Sequence, residues 1–539
     1  MRKIISIIAG AFLTGSLFAG GLVTNTNQSA TWVRMPSRNA STETDAVYYN
    51  PAGLMSMKNG LHFSLNNQTV FQTRTVESSY QFLNSGTYKG TVFAPVFPSI
   101  YAAFKMDKFA FSAAFLPIGG GGGATYKTGL PSFEMSQSDL VPALAESMKA
   151  TAYKMDVYFK GSSVFFGYQG AVSYKINDWV SASVGARYVT AKNTYEGYLR
   201  NIQVNTALGW LPASAVMTNV SSLATAGGNG LQSSIDEGAG NYTAAQLVAI
   251  GLMTTTQRDD LYKGLASFGV SDATSLTIAQ SQAVFYGAAQ VYANKATLLS
   301  DQQVNAEQTG SGVTPFINVN ITPGENFNIA IKYEMATKLE LTNKTTKDLT
   351  TGFVNENPSA PITKFPNGAK VRSDMPAMLT VGAELRLANI KVNAGANYYF
   401  DRSSDYGHYA DLTPQNSSDY PTHLDNGEII ASNGFSLQAG AEFPLTNRLL
   451  ASAGYVYSNQ GANSLYQSDL TYGLATHTLG VGGAFALTEN FKLNVGGSFT
   501  KYVDDSKMVD HYLGPINMLP TETYKKQSVI IGVGLDMSF

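Results

Sequence analysis

The last twelve residues, SVIIGVGLDMSF at positions 528–539, alternate between two kinds of side chain and decide the fold class. One face of this segment is apolar, and it carries Val529, Ile531, Val533, Leu535 and Met537. The opposite face is mostly small or polar, and it carries Ser528, Ile530, Gly532, Gly534, Asp536 and Ser538. A period of two residues predicts a β-strand with one face against an apolar medium.

The same alternation recurs along the rest of the chain. It occupies the segments 163–176, 180–188, 328–335, 379–387 and 435–443. In a soluble β-sandwich the apolar faces would point inward, whereas in a membrane β-barrel they point outward to lipid. Periodicity alone leaves both all-β architectures open, so the choice depends on the two ends of the chain.

Both ends favour the membrane barrel. A basic start (Arg2, Lys3) precedes a short apolar run and then small residues as far as Ala19, which predicts a cleaved signal peptide of residues 1–19. A transmembrane anchor is the alternative, but the run is shorter than the ~20 residues that cross a bilayer. A last strand that ends on Phe539 resembles the signal read by the bacterial barrel-assembly machinery. We therefore expect a protein of the bacterial outer membrane, surrounded by lipid and lipopolysaccharide.

The composition excludes several classes of function. The chain of 539 residues has 36 Lys and Arg against 38 Asp and Glu, and only 14% of its residues are charged. A near-neutral chain without a basic block is a poor nucleic-acid binder. An aromatic content of 11% argues against intrinsic disorder. The absence of Cys excludes disulfides, thiolate metal sites and a Cys nucleophile.

The connections between alternating segments give the strand number. Six short turns lie at 106–108, 177–178, 323–326, 388–389, 444–447 and 488–490. Seven longer polar stretches lie near 75–95, 118–161, 197–311, 343–370, 402–433, 459–472 and 504–523. These connections join fourteen strands, an even number with short periplasmic turns and long external loops, as in outer-membrane barrels. One misread hairpin would change the number to twelve or sixteen.

Two regions exceed what a plain barrel needs. Residues 20–59 precede the first alternating strand, and they are too many for a simple tail. The stretch 197–311 is rich in Ala, Ser, Thr, Gln and Asn, and its segments 244–253, 258–268 and 277–294 have helical spacing. Loops of this length are usually functional or disordered. We interpret 197–311 as a partly helical extracellular loop that covers the barrel mouth, and 60–539 as the barrel that carries it.

Several motifs resemble the FadL/TodX family of outer-membrane channels for long-chain fatty acids and other hydrophobic molecules. The segment GGLVTNTNQ (20–28) is similar to the family's mature start, and Asn50-Pro51-Ala52-Gly53 matches its hatch motif before strand one. The segment VFFGYQGAVSYKINDWVSASVGARYV (164–189) resembles the family's fourth and fifth strands. The segment MPAMLTVGAELRL (375–387) resembles its eighth strand.

The resemblance implies a fourteen-strand barrel whose lumen is closed by an N-terminal hatch, residues 20–59. It also implies ligand capture at the extracellular mouth and lateral release through a kink in strand three. Here strand three is expected from Phe109 to Pro117, and a glycine run follows. We assign the opening to Pro117, Gly119, Gly120, Gly121, Gly122 and Gly123, because proline and glycine interrupt strand pairing. A flexible loop after an ordinary strand end is the alternative for the glycine run, and a simple tight turn is the alternative for the hatch motif.

Candidate ligand contacts are cations, because a carboxylate in a low-dielectric lumen favours a fixed positive charge. We select Arg187, Lys332 and Lys192. The alternative is ion pairing inside the lumen, for instance between Lys332 and Glu334. Fatty-acid members of the family carry a basic residue near the end of strand five, where this chain has Gly197, so that role is not carried over.

Charged residues near the short turns have a different expected role. They are expected to anchor the hatch or the rim, and they are Glu384, Arg386, Lys391, Glu442 and Arg448. The aromatic run Tyr398-Tyr399-Phe400 could contact an apolar ligand, and it equally fits the aromatic girdle at a membrane interface.

No catalytic residue, metal site or cofactor is expected. The five His residues are widely scattered. Two groups of loop residues offer alternatives. Asp405, His408 and Asp411 could form a hydrolase site, and a divalent cation could bind at Asp504, Asp505, Asp510 and His511. A solvated loop explains the first group, and contact with bacterial lipopolysaccharide is the alternative for the second.

The sequence therefore predicts a non-enzymatic, passive channel for hydrophobic small molecules. A surface adhesin or structural protein built around 197–311 is the second interpretation. An outer-membrane hydrolase and a general porin are weaker alternatives. An apolar lumen would accept fatty acids, aromatic hydrocarbons, quinones or haem-like compounds, so the ligand stays open.

Overall fold

A computed structural model describes residues 22–356, 359–409, 423–513 and 516–539, without the side chains of 121–122 and 351–362. The predicted signal peptide, residues 1–19, and Asp411 lie outside the described residues.

Fourteen long antiparallel strands form a closed barrel. They are β1 (Gly60–Ser78), β2 (Thr87–Met106), β3 (Phe109–Tyr126), β4 (Ala152–Lys175), β5 (Val180–Thr206), β6 (Gln302–Ile321), β7 (Phe327–Glu334), β8 (Met378–Leu387), β9 (Ile390–Tyr399), β10 (Phe435–Pro444), β11 (Leu449–Asn459), β12 (Thr476–Ala486), β13 (Phe491–Tyr502) and β14 (Thr521–Ser538). Each strand pairs with its neighbour in the chain, and β1 pairs with β14 from His62↔Ser538 to Ser78↔Glu522. Because the first and last strands pair with each other, neither of them is a free edge at which another chain could pair.

The apolar faces of the strands point outward. On β14, Val529, Ile531 and Val533 are exposed, whereas Ser528 and Ile530 are buried in the lumen. An outward apolar face suits lipid and not water, so the soluble-sandwich alternative is excluded. Within the described ranges, no helix is long and apolar enough to cross a membrane.

Short turns join the strands at one end of the barrel, which we call the turn end; the opposite end is the loop end. The predicted number of fourteen strands is confirmed. The strands are longer than predicted at the loop end, because β5 and β6 continue to pair as far as Leu199↔Gln302. Their polar outer ends follow no apolar pattern, so sequence periodicity stops before the ladder does. The connection that we predicted at 197–311 is therefore 207–301 in the structure.

This connection is largely helical and has its own small core. Its helices are α5 (Ala213–Asn229), α6 (Gln232–Asp236), α7 (Ala244–Ala249), α8 (Thr255–Ser267) and α9 (Ile278–Leu298). The last three overlap the segments with helical spacing, and each begins with a Thr–Gln capping box, at Thr243, Thr254 and Thr277. Leu247, Leu265, Ile278 and Phe285 are among the buried residues that pack together beneath them.

The remaining elements lie inside the barrel or in the loops, including the connection 207–301. Inside are α1 (Ala30–Arg34), α2 (Ala46–Tyr49) and a 3-10 helix at Pro51–Ser56. The loops hold α3 (Pro131–Ser138), α4 (Leu140–Met148), α10 (Asn426–Ile429), two 3-10 helices (Ala239–Asn241, Asp401–Ser403) and the short strands Gly209–Pro212, Glu340–Lys347, Thr350–Glu356, Ser359–Thr363, Lys370–Arg372, Asp505–Met508, Tyr512–Leu513 and Ile516–Asn517.

Candidate functional site

The N-terminal segment, residues 22–59, lies inside the barrel against its lumenal side chains. The Nδ2 atom of Asn27 donates to Gln68 Oε1 of β1 at 2.9 Å, and the Nδ2 atom of Asn39 donates to Asn397 Oδ1 of β9 at 3.0 Å. The segment therefore contacts opposite parts of the wall. Its first described half, residues 22–41, is buried throughout.

Glycines in the wall make room for this segment. A Cβ atom at Gly482 or Gly496 would lie 2.7 or 2.6 Å from the Cβ of Arg34, closer than real Cβ contacts. Because these two lumenal positions lack side chains, Arg34 reaches Glu442 on β10 at 2.7 Å. A buried ion pair of this kind fixes one helix against one part of the wall.

A larger group of ion pairs joins the segment to the turn end. Arg38 binds Asp45 at 2.8 Å and Glu43 at 2.6 Å within the segment. Glu43 in turn contacts Lys391 of β9 at 3.4 Å and Lys492 of β13 at 3.3 Å. Lys391 also contacts Glu442 (3.0 Å) and Glu384 (4.0 Å), and Arg386 contacts Glu384 (3.4 Å). The structure thus places Lys391 and Glu442 where they hold the segment, and Arg448 in the turn between β10 and β11.

The motif Asn50-Pro51-Ala52-Gly53 forms a turn that is hydrogen-bonded to three strands. The Nδ2 atom of Asn50 donates to Asn320 Oδ1 at 2.7 Å, and the Ala52 N–H donates to Asn318 Oδ1 at 2.7 Å, both on β6. Ser173 of β4 and Ser181 of β5 donate to the Pro51 and Ala52 carbonyls at 2.8 Å. All four motif residues are buried. The motif is therefore a turn that lies inside the lumen, and its role in a hatch stays a prediction.

The ladder between β2 and β3 is interrupted at the glycine run. The two strands pair from Ile100↔Phe115 toward the turn end and at Gly90↔Tyr126 and Thr91↔Thr125 toward the loop end, with no pairs between. Residues 116–124 of β3 remain on β4, with register shifts around Gly119. Strand three thus continues to Tyr126 and does not end at Pro117 as predicted, and the flexible-loop alternative is wrong. The run bends within a strand because Gly120 adopts φ +89, which glycine tolerates.

The N-terminal segment occupies the inner side of this opening. Thr24 forms an antiparallel bridge with Gly119, the Asn25 N–H donates to the Ile118 carbonyl at 2.8 Å, and the Gly120 N–H donates to the Val23 carbonyl at 3.3 Å. Backbone groups that β2 leaves unpaired therefore find partners in the lumen. This satisfies the requirement that unpaired backbone at membrane depth face protein or water.

The selected cations Arg187 and Lys332 already have partners. Both bind Glu334 at 2.8 Å, and both lie over the ring of Tyr48, with Arg187 at 5.1 Å and Lys332 at 4.6 Å from its centroid. Lys332 Nζ also donates to the Tyr48 carbonyl at 2.7 Å. The ion-pairing alternative describes this cluster, which holds α2 to the wall. A direct ligand contact at these two residues stays a prediction.

The selection of Lys192 as a lumenal cation is wrong. Its side chain is 57% exposed on the outer face and binds Glu307 of β6 at 2.7 Å. Above the apolar band the outer face of β5 meets water, so the pattern inverts: Val189 and Ala191 face inward and Lys192 faces outward. The alternation of apolar and polar residues along a strand depends on the medium that each face of the strand meets. That medium changes at the membrane boundary.

Apolar side chains line the loop half of the interior. They include Leu22, Val23, Ile118, Leu130, Phe133, Phe159, Phe165, Met375, Tyr406, Tyr466 and Leu474. The connection 460–474 contributes because most of it is folded inward and buried. Of the aromatic run, Tyr399 is buried whereas Tyr398 is exposed on the outer face.

A buried pair of cations that the sequence analysis missed also lies in this half. Arg74 of β1 and Lys526 of β14 are 4% and 5% exposed and are directly opposite each other in the β1–β14 ladder. The sequence did indicate that Lys526 faces the lumen. Extending the alternation of residues 528–539 toward the N-terminus puts Lys526 on the same face as Ser528 and Ile530. Arg74 carried the same signal, since it shares the polar face of β1 with His62 and Ser64, but its pairing with Lys526 is not apparent from local sequence.

The loop residues named above as alternative hydrolase and divalent-cation sites are dispersed in the structure. His408 contacts the Leu465 carbonyl at 3.1 Å and stacks on Tyr466, whereas Asp405 contacts His423 at 3.1 Å. Across the described ranges, no group of three or more His, Cys, Asp or Glu residues could hold a metal ion. His511 lies 3.0 Å from Asp139, and Asp504, Asp505 and Asp510 contact Lys501, Gln467 and Asn517 respectively.

A closed fourteen-strand barrel with an apolar exterior and an occupied lumen is the architecture of a membrane β-barrel protein. The chain is similar in structure to a deltaS2S3 mutant of the monoaromatic hydrocarbon channel TodX, with TM-score 0.54, 14% identity, and coverage of 96% of this chain and 100% of that one. It is also similar to a Pseudomonas aeruginosa FadL homologue, with TM-score 0.53, 12% identity, and coverage of 99% and 100%. These likenesses confirm at the level of fold the resemblance drawn from sequence. No family model and no characterised protein sequence matches the chain significantly.

Proposed function

We propose that the protein is a passive channel for hydrophobic small molecules in the bacterial outer membrane. One observation carries the proposal: the β2–β3 ladder is open at residues 116–124, and the N-terminal segment pairs with that opening from inside. A barrel that serves only as a structural scaffold does not need an interruption between two neighbouring strands. The structural likeness to a hydrocarbon channel and to a FadL homologue supports the same interpretation.

The chemistry of the interior indicates a path. An apolar molecule is captured under the loops, where the wall is lined by side chains such as Phe133, Phe159 and Phe165. Movement of residues 23–25 away from Gly119 frees the opening, and the molecule leaves sideways into the bilayer. Lateral exit keeps an apolar molecule out of water throughout, which avoids the cost of hydrating its surface. In this proposal residues 22–59 are the hatch, and the cation cluster at Tyr48 fixes its far side.

A reversible cross-link tests the path. Asn25 and Ile118 face each other across an antiparallel backbone bond, where Cα atoms lie about 5.5 Å apart, within disulfide range. The chain contains no Cys, so the double variant Asn25→Cys/Ile118→Cys carries only the intended pair. In a host without its own transporter, oxidation should stop uptake of radiolabelled dodecanoate and toluene, and reduction should restore it.

The matched control introduces a disulfide between two strands of the barrel. Val456→Cys/Thr478→Cys joins two buried residues that are opposite each other on β11 and β12 and leaves the hatch free. Uptake through this control should not respond to oxidation. Uptake that continues through the oxidised Asn25–Ile118 pair would refute hatch movement at β3. A nonselective open-pore conductance of the unmodified protein would refute the channel proposal itself.

The ligand is identified directly from the native protein. Mass spectrometry of an organic extract, made after purification from the native membrane in mild detergent, should show a stoichiometric hydrophobic compound. An empty lumen together with no saturable uptake of either probe would favour a surface role for the helical connection 207–301.

A further inference from the structure

Three lysines are exposed on the outer face of the wall, at the loop-side margin of the β2–β3 opening. We call them the lysine group, and they are Lys89, Lys127 and Lys160. The first two lie one residue beyond the Gly90↔Tyr126 pair, toward the loop end. The third, on β4, is opposite Thr125 of β3. Neighbouring strands lie about 4.8 Å apart, so the group forms one patch across three strands.

The protein leaves most of the positive charge of this group unbalanced. Within the described ranges, no member of the lysine group forms an ion pair. The neighbouring acid Glu77 is already bound to Lys525 of β14 at 2.8 Å. Glu196 of β5 is opposite Lys160, on the side away from the opening. Because like charges repel one another, an anion placed among the three lysines would stabilise them.

Apolar side chains face the membrane on the turn side of the lysine group. Phe71 of β1 and Phe93 of β2 are partners in the ladder, and their ring centroids are 5.3 Å apart. Phe93 and Val96 are 64% and 67% exposed. At residues 92–99 β2 has no partner on β3, so these side chains lack a neighbouring strand that would cover them. The outer surface beside the opening is therefore apolar and uncovered by protein.

The order of charge and apolar surface along the wall matches an amphipathic lipid. Lys89 and Phe93 are separated on β2 by about 13 Å of extended strand. The lysine group therefore lies where the apolar band ends and lipid head groups begin. Long loops are external in outer-membrane barrels, so this end meets the outer leaflet, which contains lipopolysaccharide. Clusters of Lys at a membrane surface attract anionic head groups.

We propose that the lysine group binds the phosphates of a lipid A head group, the membrane anchor of lipopolysaccharide, while the acyl chains lie over Phe71 and Phe93. Ammonium groups donate charge-assisted hydrogen bonds to phosphate oxygens, and three positive charges balance two phosphates more closely than one. The bound lipid covers the β2–β3 opening from the membrane side, as residues 23–25 cover it from the lumen. The site rests on the outer-membrane location within the proposed function and not on transport.

Native mass spectrometry of the detergent-purified full chain tests the site with two lipids that differ in one phosphate. Lipid A carries two phosphates, and its monophosphoryl form carries one phosphate and the same acyl chains. The unmodified protein should bind lipid A at least ~10-fold more tightly, equivalent to about 1.4 kcal/mol. The triple variant Lys89→Gln/Lys127→Gln/Lys160→Gln should bind lipid A at least ~10-fold more weakly and the two lipids within about twofold of each other, because the charged contacts are lost.

A triple variant with the same loss of charge is the matched control, namely Lys263→Gln/Lys338→Gln/Lys344→Gln. These lysines are exposed on α8, after β7 and in the strand Glu340–Lys347, which pairs with β6. The control should bind both lipids like the unmodified protein. All six lysines are exposed, so both variants should fold, and a gel-mobility shift on boiling checks this.

Four results would contradict one of the two proposals. Equal binding of the two lipids by the unmodified protein, which needs no variant to fold, would overturn the assignment to two phosphates. Equal weakening in both triple variants would overturn the lysine group as the site. Tighter binding of phosphatidylglycerol than of lipid A, lost in the first variant, would overturn lipid A in favour of a glycerophospholipid. Lipid A binding without any uptake of dodecanoate or toluene would overturn the channel and leave the lipid site standing.

Discussion

At the scale of single residues, Gly53 shows how little room the hatch turn leaves. A Cβ there would lie 2.3 Å from Asn50 Nδ2 and 2.5 Å from the Ser41 carbonyl oxygen, the two atoms joined by a 3.0 Å hydrogen bond. We expect Gly53→Ala to force them apart at a cost of about 1–3 kcal/mol. The loosened turn should raise ion conductance in planar bilayers. Gly170→Ala is the control, since a Cβ there meets nothing within 4 Å, and equal conductance of the two variants would contradict the prediction.

Asp401, in the 3-10 helix after β9, gives a pH-dependent prediction. Burial raises the pKa of this carboxyl to about 6, although hydrogen bonds from Tyr406 and the Gly434 N–H lower it in part. The folded protein therefore holds a proton between pH 4 and 6 that the unfolded chain releases, so stability falls as pH rises through this window. The loss is on the order of 3 kcal/mol.

Thermal unfolding in detergent between pH 4 and 7 measures this effect. Asp401→Asn keeps the shape of the side chain but removes its titration, so its unfolding temperature should vary less across the window than that of the unmodified protein. The half-exposed Asp504→Asn is the control and should keep the full variation. A parallel pH profile for Asp401→Asn and the unmodified protein would rule out Asp401 as the source.

At the scale of elements, β3 should show two levels of protection. Residues 109–115 have ladder partners on both sides, whereas residues 116–124 have β4 on one side and the few bonds of residues 23–25 on the other. Amide exchange reports local opening, so 116–124 should exchange faster than 109–115. Mass spectrometry of peptic peptides measures both, and residues 166–174 of β4 are an internal standard. Equal slow exchange across β3 would mean that the opening is sealed.

At the scale of the whole molecule, the helical connection has a core of its own, and a second, smaller core joins its helix α5 to β5. The helices of 207–301 enclose their own core, and β5 and β6 already pair with each other to Leu199↔Gln302. Replacing 207–301 by a short Gly-Ser turn should therefore leave a folded barrel that shifts in gel mobility on boiling. Uptake of dodecanoate should persist at a comparable rate. Loss of surface adhesion with intact uptake would assign adhesion to the connection, and loss of uptake would show that the connection shapes the mouth.

The sequence by itself determined the membrane barrel. A period of two in residues 528–539 and its repeats defined which faces meet lipid, and turn spacing gave fourteen strands. These properties are local, because alternation depends only on the medium on each side of a strand. The alternation also covers Lys192, which shares the outward face of β5 with Val184 and Tyr188, so placing its charge in the lumen went against the pattern.

Only the tertiary structure decided which residues face one another across the lumen. Register between β1 and β14 is set by barrel closure, and closure alone brings Arg74 opposite Lys526. The bridge of Thr24 to Gly119 and the binding of Arg187 to Glu334 likewise join segments far apart in the chain. A strand's own alternation specifies its two faces but not the neighbour or the hatch residue that meets them, so the candidate site could be read only from the closed barrel.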